Sequence, residues 1–190
     1  MPDTQDQILD SAERLIQSQG YSAISYQDIS NQVGIRKASI HYYFPSKGDL
    51  AAAVVKRYRI KLKVIMDSSM AQRKSDAWGL LDDYFAIYLS FESDPERICL
   101  CGALAGEYPV LPKKAQAEVD EFFYDHQVWI RHVIEMGQDN KMIADDQRAD
   151  YLAGWVLSTL QGALIVGRAT NSFERVHEAQ EMLRRALKRL

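Results

Sequence analysis

The sequence predicts an all-α protein, and three observations predict it. Apolar residues recur at helical spacing along the chain, no stretch alternates with the period of a β-strand, and glycine or proline marks the ends of the periodic segments (Gly20, Gly34, Pro45, Pro95, Gly137). There is no internal repeat and no low-complexity tract. A content of 47% hydrophobic and 26% charged residues is that of a globular chain, and 190 residues suffice to bury a sizeable core. No apolar run approaches the ~20 residues needed to span a bilayer. The start, Met-Pro-Asp-Thr-Gln-Asp, lacks the basic and apolar regions of a secretory signal, so a cytoplasmic chain without a membrane partner is expected.

Taken in order, a first helix begins near Asp3 or Thr4, turns Ile8, Leu9, Ala12, Leu15 and Ile16 to one side, and ends at Gly20. Residues 25–47 then form a helix-turn-helix. Ser25 caps a short helix carrying Ile29 and Val33, Gly34 supplies the turn, and a second short helix puts Ile40, Tyr43 and Phe44 inward with Ile29, Val33 and Ile35. Lys37, Ala38, His41 and Tyr42 are left on the opposite side, which would face a major groove. Pro45 stops that helix, and Ser46-Lys47-Gly48-Asp49 reads as the N-cap and acidic N3 position of the next, so Lys47 lies beside free helix amides.

The chemistry of this stretch suits a duplex. Arg36, Lys37, Ser39, His41, Tyr42 and Lys47 can reach phosphates or base edges, and no acidic residue occurs from Ile29 through Gly48. The formal net charge of the chain is −3, yet residues 1–65 carry a net +3 and residues 66–190 a net −6. A basic head on an acidic body would turn its head toward a polyanion.

Ile35 to Leu50 resembles, position by position, the recognition motif of the TetR family of bacterial transcriptional regulators, with Ile35, Lys37, Ile40, Tyr43, Phe44, Ser46, Lys47 and Leu50 matching and Ser25 at the family's capping hydroxyl. Ala38 replaces the usual glycine, Ser39 the usual threonine, and His41-Tyr42 inverts the usual Tyr-His order. The resemblance implies a three-helix DNA-binding domain (residues 1–63) joined by a continuous helix to a ligand-binding and dimerisation domain (residues 64–190). It further implies a homodimeric repressor that leaves a pseudo-palindromic double-stranded operator when a small molecule binds.

The fourth helix, from Ser46, has no proline or glycine between Leu50 and Trp78, so its apolar set (Leu50, Val54, Tyr58, Leu62, Ile65) runs unbroken out of the head. Ser75 or Asp76 caps a fifth helix, a short sixth covers Ile98–Gly106, and Pro112 suits N1 of a seventh that stops at Gly137. Asp145 or Asp146 caps an eighth helix reaching Gly167. Asn171 or Ser172 caps a ninth, with Val176, Leu183, Ala186, Leu187 and Leu190 inward. Tyr84, Tyr88, Phe122, Phe123, His126, Trp129, Tyr151 and Trp155, with Cys101, supply mostly apolar walls with polar tips for a small effector; the same spacing also describes plain core packing. The small-residue stripe Gly154, Ser158, Gly162, with Leu183 and Leu187 of the last helix, would let a second copy approach closely.

Cys99 and Cys101 are the only cysteines, too few for a zinc site and placed as buried small hydrophobes or, alternatively, as thiols sensing oxidants or electrophiles; a Gly-Cys-Leu segment of electrophile-responsive TetR relatives is similar to this stretch. An enzyme is the remaining class. The four histidines join no triad, and Glu174-x-x-His177 is one half of the pair of motifs a di-iron bundle needs, so neither catalysis, metal nor cofactor is expected.

Overall fold

The computed structural model describes residues 3–188. Among them are nine α-helices and no β-strand: α1 (Thr4–Gln19), α2 (Tyr26–Val33), α3 (Lys37–Tyr43), α4 (Lys47–Arg73), α5 (Ala77–Leu89), α6 (Leu100–Ala105), α7 (Lys113–Asp139), α8 (Ala149–Ala169) and α9 (Glu174–Leu187). Two 3₁₀ turns, Ser90–Ser93 and Tyr108–Val110, flank α6 in sequence. The all-α expectation is met.

The helices form two compact units. The first takes the chain up to Lys61 together with Glu96–Phe122; the second takes Leu62–Pro95 and the chain from Phe123 onward. The division between the units falls at Lys61/Leu62 within the continuous α4, and residues 96–122 join the first unit. The reason is local packing: α6 lies on α1, Ile98 N donates to Gln17 O at 3.3 Å, and Leu100, Cys101 and Leu104 are buried. The same unit also buries Ile8, Leu15 and Ile16 of α1, Ile29 of α2, Ile40 of α3 and Leu50 and Val54 of α4.

In the second unit Asp76 caps α5, its Oδ1 accepting from Gly79 N at 3.0 Å. That helix buries Leu80, Leu81, Tyr84, Phe85 and Tyr88. Gly137 does not end α7, which runs on to Asp139. A Cβ at residue 137 would lie 2.5 Å from Ile143 Cδ1, so this glycine serves the close approach of the α7–α8 loop. That loop also shifts the start of α8. Asp145 pairs with Lys141 at 2.9 Å, and the cap position falls to Arg148. Pro112 stands one residue before α7, its carbonyl accepting from Ala115 N at 2.8 Å, in the capping position and not at N1.

The last two helices pack side by side. α9 turns Val176, Leu183 and Leu187 into the core, so the last two, expected at a dimer interface, belong to the interior of one chain, while Ala186 is exposed and Leu190 lies outside the described residues. The amphipathic face of α9 is spent on α8. Contrary to the expectation from apolar runs, α8 is long and apolar enough to cross a bilayer by length and composition alone. Its buried side (Ala153, Val156, Leu157, Leu160, Leu164) is core, and its outer side leaves Tyr151, Trp155, Ile165 and Val166 exposed.

Because Leu183 is wholly enclosed, Leu183→Ala is expected to lower unfolding free energy by about 2–5 kcal/mol, whereas exposed Glu181→Ala changes it by under about 0.5. Denaturant unfolding of both variants checks this.

Candidate nucleic-acid interface

α3 has seven residues and no capping side chain, so its geometry is imposed by its neighbours. At the start of α2, Asp28 Oδ2 accepts from both Ser25 N and Ser25 Oγ at 2.7 Å, and these bonds hold its carboxyl below the usual carboxylate value. Gly34 takes the left-handed conformation (φ 75°), its N–H bonds Ser30 O, and Ser30 Oγ donates to Ile35 O at 2.5 Å. Ile40 and Phe44 are then drawn into the core. Tyr43, expected there, is only half-buried.

Tyr26 completes the fixing of α3. Its buried hydroxyl donates to Phe44 O at 2.7 Å and its ring lies 4.6 Å from that of His41. Burial, then the charge of Asp49, pushes this phenol up to about 12, so it remains a donor. The sequence pattern gave Tyr26 no role because its partner is eighteen residues away.

Arg36, Lys37, Ala38, His41 and Tyr42 are exposed, the last at 83%, and Ser39 is half-buried. Ser25, Lys37, His41 and Lys47 come together with Ile24, Tyr26 and Gln27 around a concavity of about 440 Å³. Ser46 and Asp49 form the second cap, with Asp49 Oδ2 accepting from Ser46 N at 3.0 Å and Ser46 Oγ at 2.5 Å. Lys47 reaches back, its Nζ 3.3 Å from Ser22 O and 4.5 Å from the Tyr21 ring centroid. Arg57 and Arg59 are committed elsewhere: Arg57 to Asp10 at 2.7 Å and Glu13 at 3.2 Å, Arg59 to Glu118 at 3.2 Å.

The residues expected to line a pocket divide between the units. Phe122 and Cys101 are buried in the first, where Phe122 stacks on Tyr58 at 5.9 Å and Tyr58 OH lies 3.9 Å from Cys99 Sγ. Both cysteines are buried, and burial raises the Cys101 thiol well above its ordinary value, which works against a thiolate sensor. In the second unit Tyr84, Tyr88, His126 and Trp129 form a cluster: Tyr84 OH is 2.9 Å from His126 Nδ1 and 3.2 Å from Tyr88 OH, Gln161 Nε2 donates to Tyr88 OH at 3.2 Å, and Trp129 stacks on Tyr84 at 5.6 Å. Phe123 is half-buried. Tyr151 (65% exposed) and Trp155 (42%) stand on the outer side of α8, away from that cluster. A groove of about 300 Å³ in the same unit is lined by Met66 and Met70 of α4 and Tyr124, Val128, Trp129 and His132 of α7, among others.

A two-helix reader with a basic, acid-free outer face, set on a helical body, defines a helix-turn-helix DNA-binding protein. The model for bacterial regulatory proteins of the tetR family matches residues 8–54. A TetR-family transcriptional regulator from Agrobacterium tumefaciens is 31% identical, covers 97% of both chains and superposes with a TM-score of 0.92. A TetR transcriptional regulator from Legionella pneumophila is 28% identical over 99% of both chains, with a TM-score of 0.90. The repressor DhaR of Mycobacterium sp. is 23% identical over 83% of this chain and 79% of its own. The chain belongs to the TetR family; it is a DNA-binding transcription regulator and not an enzyme.

Burial pushes the His126 imidazole down to about 4 from 6.5, against the opposing charge of Asp125. The unfolded chain therefore takes up a proton near pH 6.5 that the folded chain refuses until about pH 4, so stability falls as pH drops through this window and levels off below it. His126 alone is expected to account for a loss of about 3 kcal/mol. Chemical unfolding at pH 7 and pH 4.5 checks it: in His126→Gln the loss over that interval is smaller than in the wild type.

Proposed function

We propose that the protein is a cytoplasmic, homodimeric repressor that holds a pseudo-palindromic operator with two copies of α3 and releases it when a small, mostly apolar effector binds the second unit. The observation that carries this reading is the outward stripe Lys37, Ala38, His41 and Tyr42, with Arg36 and Ser39 beside it and Ser25 and Lys47 in the adjoining concavity; to these last two we give the phosphate contacts. Repression is supported by relatives such as DhaR, which is named a transcriptional repressor.

Dimerisation is supported by the outer side of α8. Ser158 is exposed, Gly154 and Gly162 are half-buried, and a Cβ at residue 162 would meet nothing within 4 Å, so packing inside the chain does not demand the glycine there. Tyr151, Trp155, Ile165 and Val166 flank this stripe with exposed apolar surface suited to the same stripe of a second copy. One helix-turn-helix gives little specificity, and two reading successive major grooves give the two-fold arrangement of half-sites.

The effector reading rests on the Tyr84, Tyr88, His126 and Trp129 cluster and on the neighbouring groove, whose size suits a small molecule. An occupant must replace the hydrogen bonds it breaks, so a polar tip on an apolar body fits best. Residues 47–73 are one uninterrupted helix, and we place the coupling there: a ligand that prefers a different setting of α4 changes the separation of the two α3 helices.

Three substitutions test the DNA face. Lys47→Ala should weaken binding to all duplexes alike and flatten the salt dependence by about one phosphate, while His41→Ala and Tyr42→Ala alter the ranking of operator variants. Equilibrium titrations over salt and half-site variants measure both, and an unchanged Lys47→Ala slope removes the phosphate role. For the dimer, Ser158→Arg should sediment as a folded monomer; a folded dimer places the interface elsewhere.

A further inference from the structure

Two consecutive backbone amides in the turn between α1 and α2 are held by one carboxylate from far along the chain. Tyr21 N donates to Glu107 Oε1 at 2.5 Å and Ser22 N to Glu107 Oε2 at 2.8 Å. Gly20 makes room for it: this residue has φ 88°, and any Cβ there would collide with Glu107 Oε1. The same two residues meet Lys47: Ser22 O accepts from its ammonium, which also stands over the Tyr21 ring. The segment that carries Glu107 also braces the start of α4. Lys114 pairs with Asp49, and a Cβ at Gly48 would lie 2.7 Å from Pro112 Cγ.

We propose that Glu107 is a positioning residue for DNA binding, holding the α1–α2 turn so that the turn in turn holds Lys47 for a phosphate. The inference rests on the phosphate role given to Lys47 above. A lysine is a flexible four-carbon stem ending in a point charge, and ordering it against a phosphate costs side-chain entropy. Tyr21 and Ser22 confine it beforehand, and they are themselves confined by two charge-assisted hydrogen bonds. Burial acts to raise the Glu107 carboxyl, but the Ser22 and Tyr21 bonds and the charge of Lys47 outweigh it and leave it below the ordinary value, so these acceptors are ionised at neutral pH.

Removing Glu107 also deletes a negative charge from the DNA-binding unit, an effect that by itself would strengthen binding. The two contributions have opposite signs, and the experiment separates them. Full-length wild type, Glu107→Ala, Glu107→Gln, Lys47→Ala, the double variant Glu107→Ala/Lys47→Ala and the charge control Glu121→Gln are titrated with a mixed-sequence duplex several helical turns long, over a range of salt. Circular dichroism confirms the fold of each, and amide exchange at Tyr21 and Ser22 reports the turn directly.

We expect Glu107→Ala to weaken binding about three- to tenfold, to expose both amides to exchange, and to lower the salt slope by about one phosphate, as Lys47→Ala does. Glu107→Gln, which keeps a carbonyl acceptor, falls between it and the wild type, and Glu121→Gln does not weaken binding. The double variant binds no more weakly than Lys47→Ala, because both act through one contact. If Lys47→Ala binds with unchanged affinity and slope, the phosphate role of Lys47 fails and the inference goes with it. If Lys47→Ala is impaired but folded Glu107→Ala, or Glu107→Gln should Glu107→Ala not fold, binds as tightly as wild type or more tightly, the positioning role alone is overturned. Additive losses in the double variant overturn it as well.

Discussion

Burial of Ile40 is the constraint on which the DNA-binding unit depends. A seven-residue helix without a capping side chain has too few internal hydrogen bonds to repay its nucleation, so α3 exists because its inner side chain is enclosed. Supporting it requires a stop on each side. Gly34 turns the chain before α3, Phe44 is buried after it, and the Tyr26 hydroxyl ties Phe44 O back to α2. With the inner side so fixed, positions 37, 38, 41 and 42 are left exposed on the outer side, where the proposed base contacts would be made. The stability of the reader and its chemistry are thus carried by opposite faces of the same two turns of helix.

How much of this was legible follows from the range of the interactions. Ser25, Gly34, Pro45 and Ser46 with Asp49 act within three or four residues, and together with the apolar spacing of Ile29, Val33, Ile40 and Phe44 they place the helix-turn-helix in the sequence. Gly137 reads as a stop by the same rules, yet it is a contact point for Ile143, which no local rule can show. Asp145 reads as a cap and is instead engaged by Lys141. Periodicity identifies that Phe122 and Phe123 lie on an apolar helix but not that the boundary between the compact units falls between them. Leu183 and Met182 are adjacent on α9, one enclosed and one 59% exposed, and only the packing of α8 decides which is core. Glu107 had no signal at all, its partners being more than eighty residues earlier in the chain.

The second unit contains a buried polar chain, Gln161 to Tyr88 to Tyr84 to His126, inside an otherwise apolar core. Such groups cost free energy to bury and return it only while their bonds are intact. Burial keeps the imidazole neutral near pH 7, which preserves one acceptor nitrogen and one donor in the ring. A packed core of this kind has discrete arrangements and no continuum of them, because each alternative must satisfy the same donors and acceptors again. That property is what a switch needs: a ligand with equal affinity for both arrangements would shift nothing.

Charge shows why the reading surface is confined. The first 65 residues hold a net +3, but much of the basic charge is answered nearby: Arg57 by Asp10 and Glu13, Arg59 by Glu118, Lys63 by Asp67. The acid-free stretch from Ile29 to Gly48 keeps Arg36, Lys37 and Lys47, all on or beside α3. Counterion release scales with the number of phosphates neutralised, so a head with this few local cations gains little from unspecific attraction. In the proposed reading, tight binding then comes from base contacts along α3 and from doubling the head through a second copy. Both requirements of that reading bear on the same design: a small reader held by its buried side, and an outer side of α8 that is exposed.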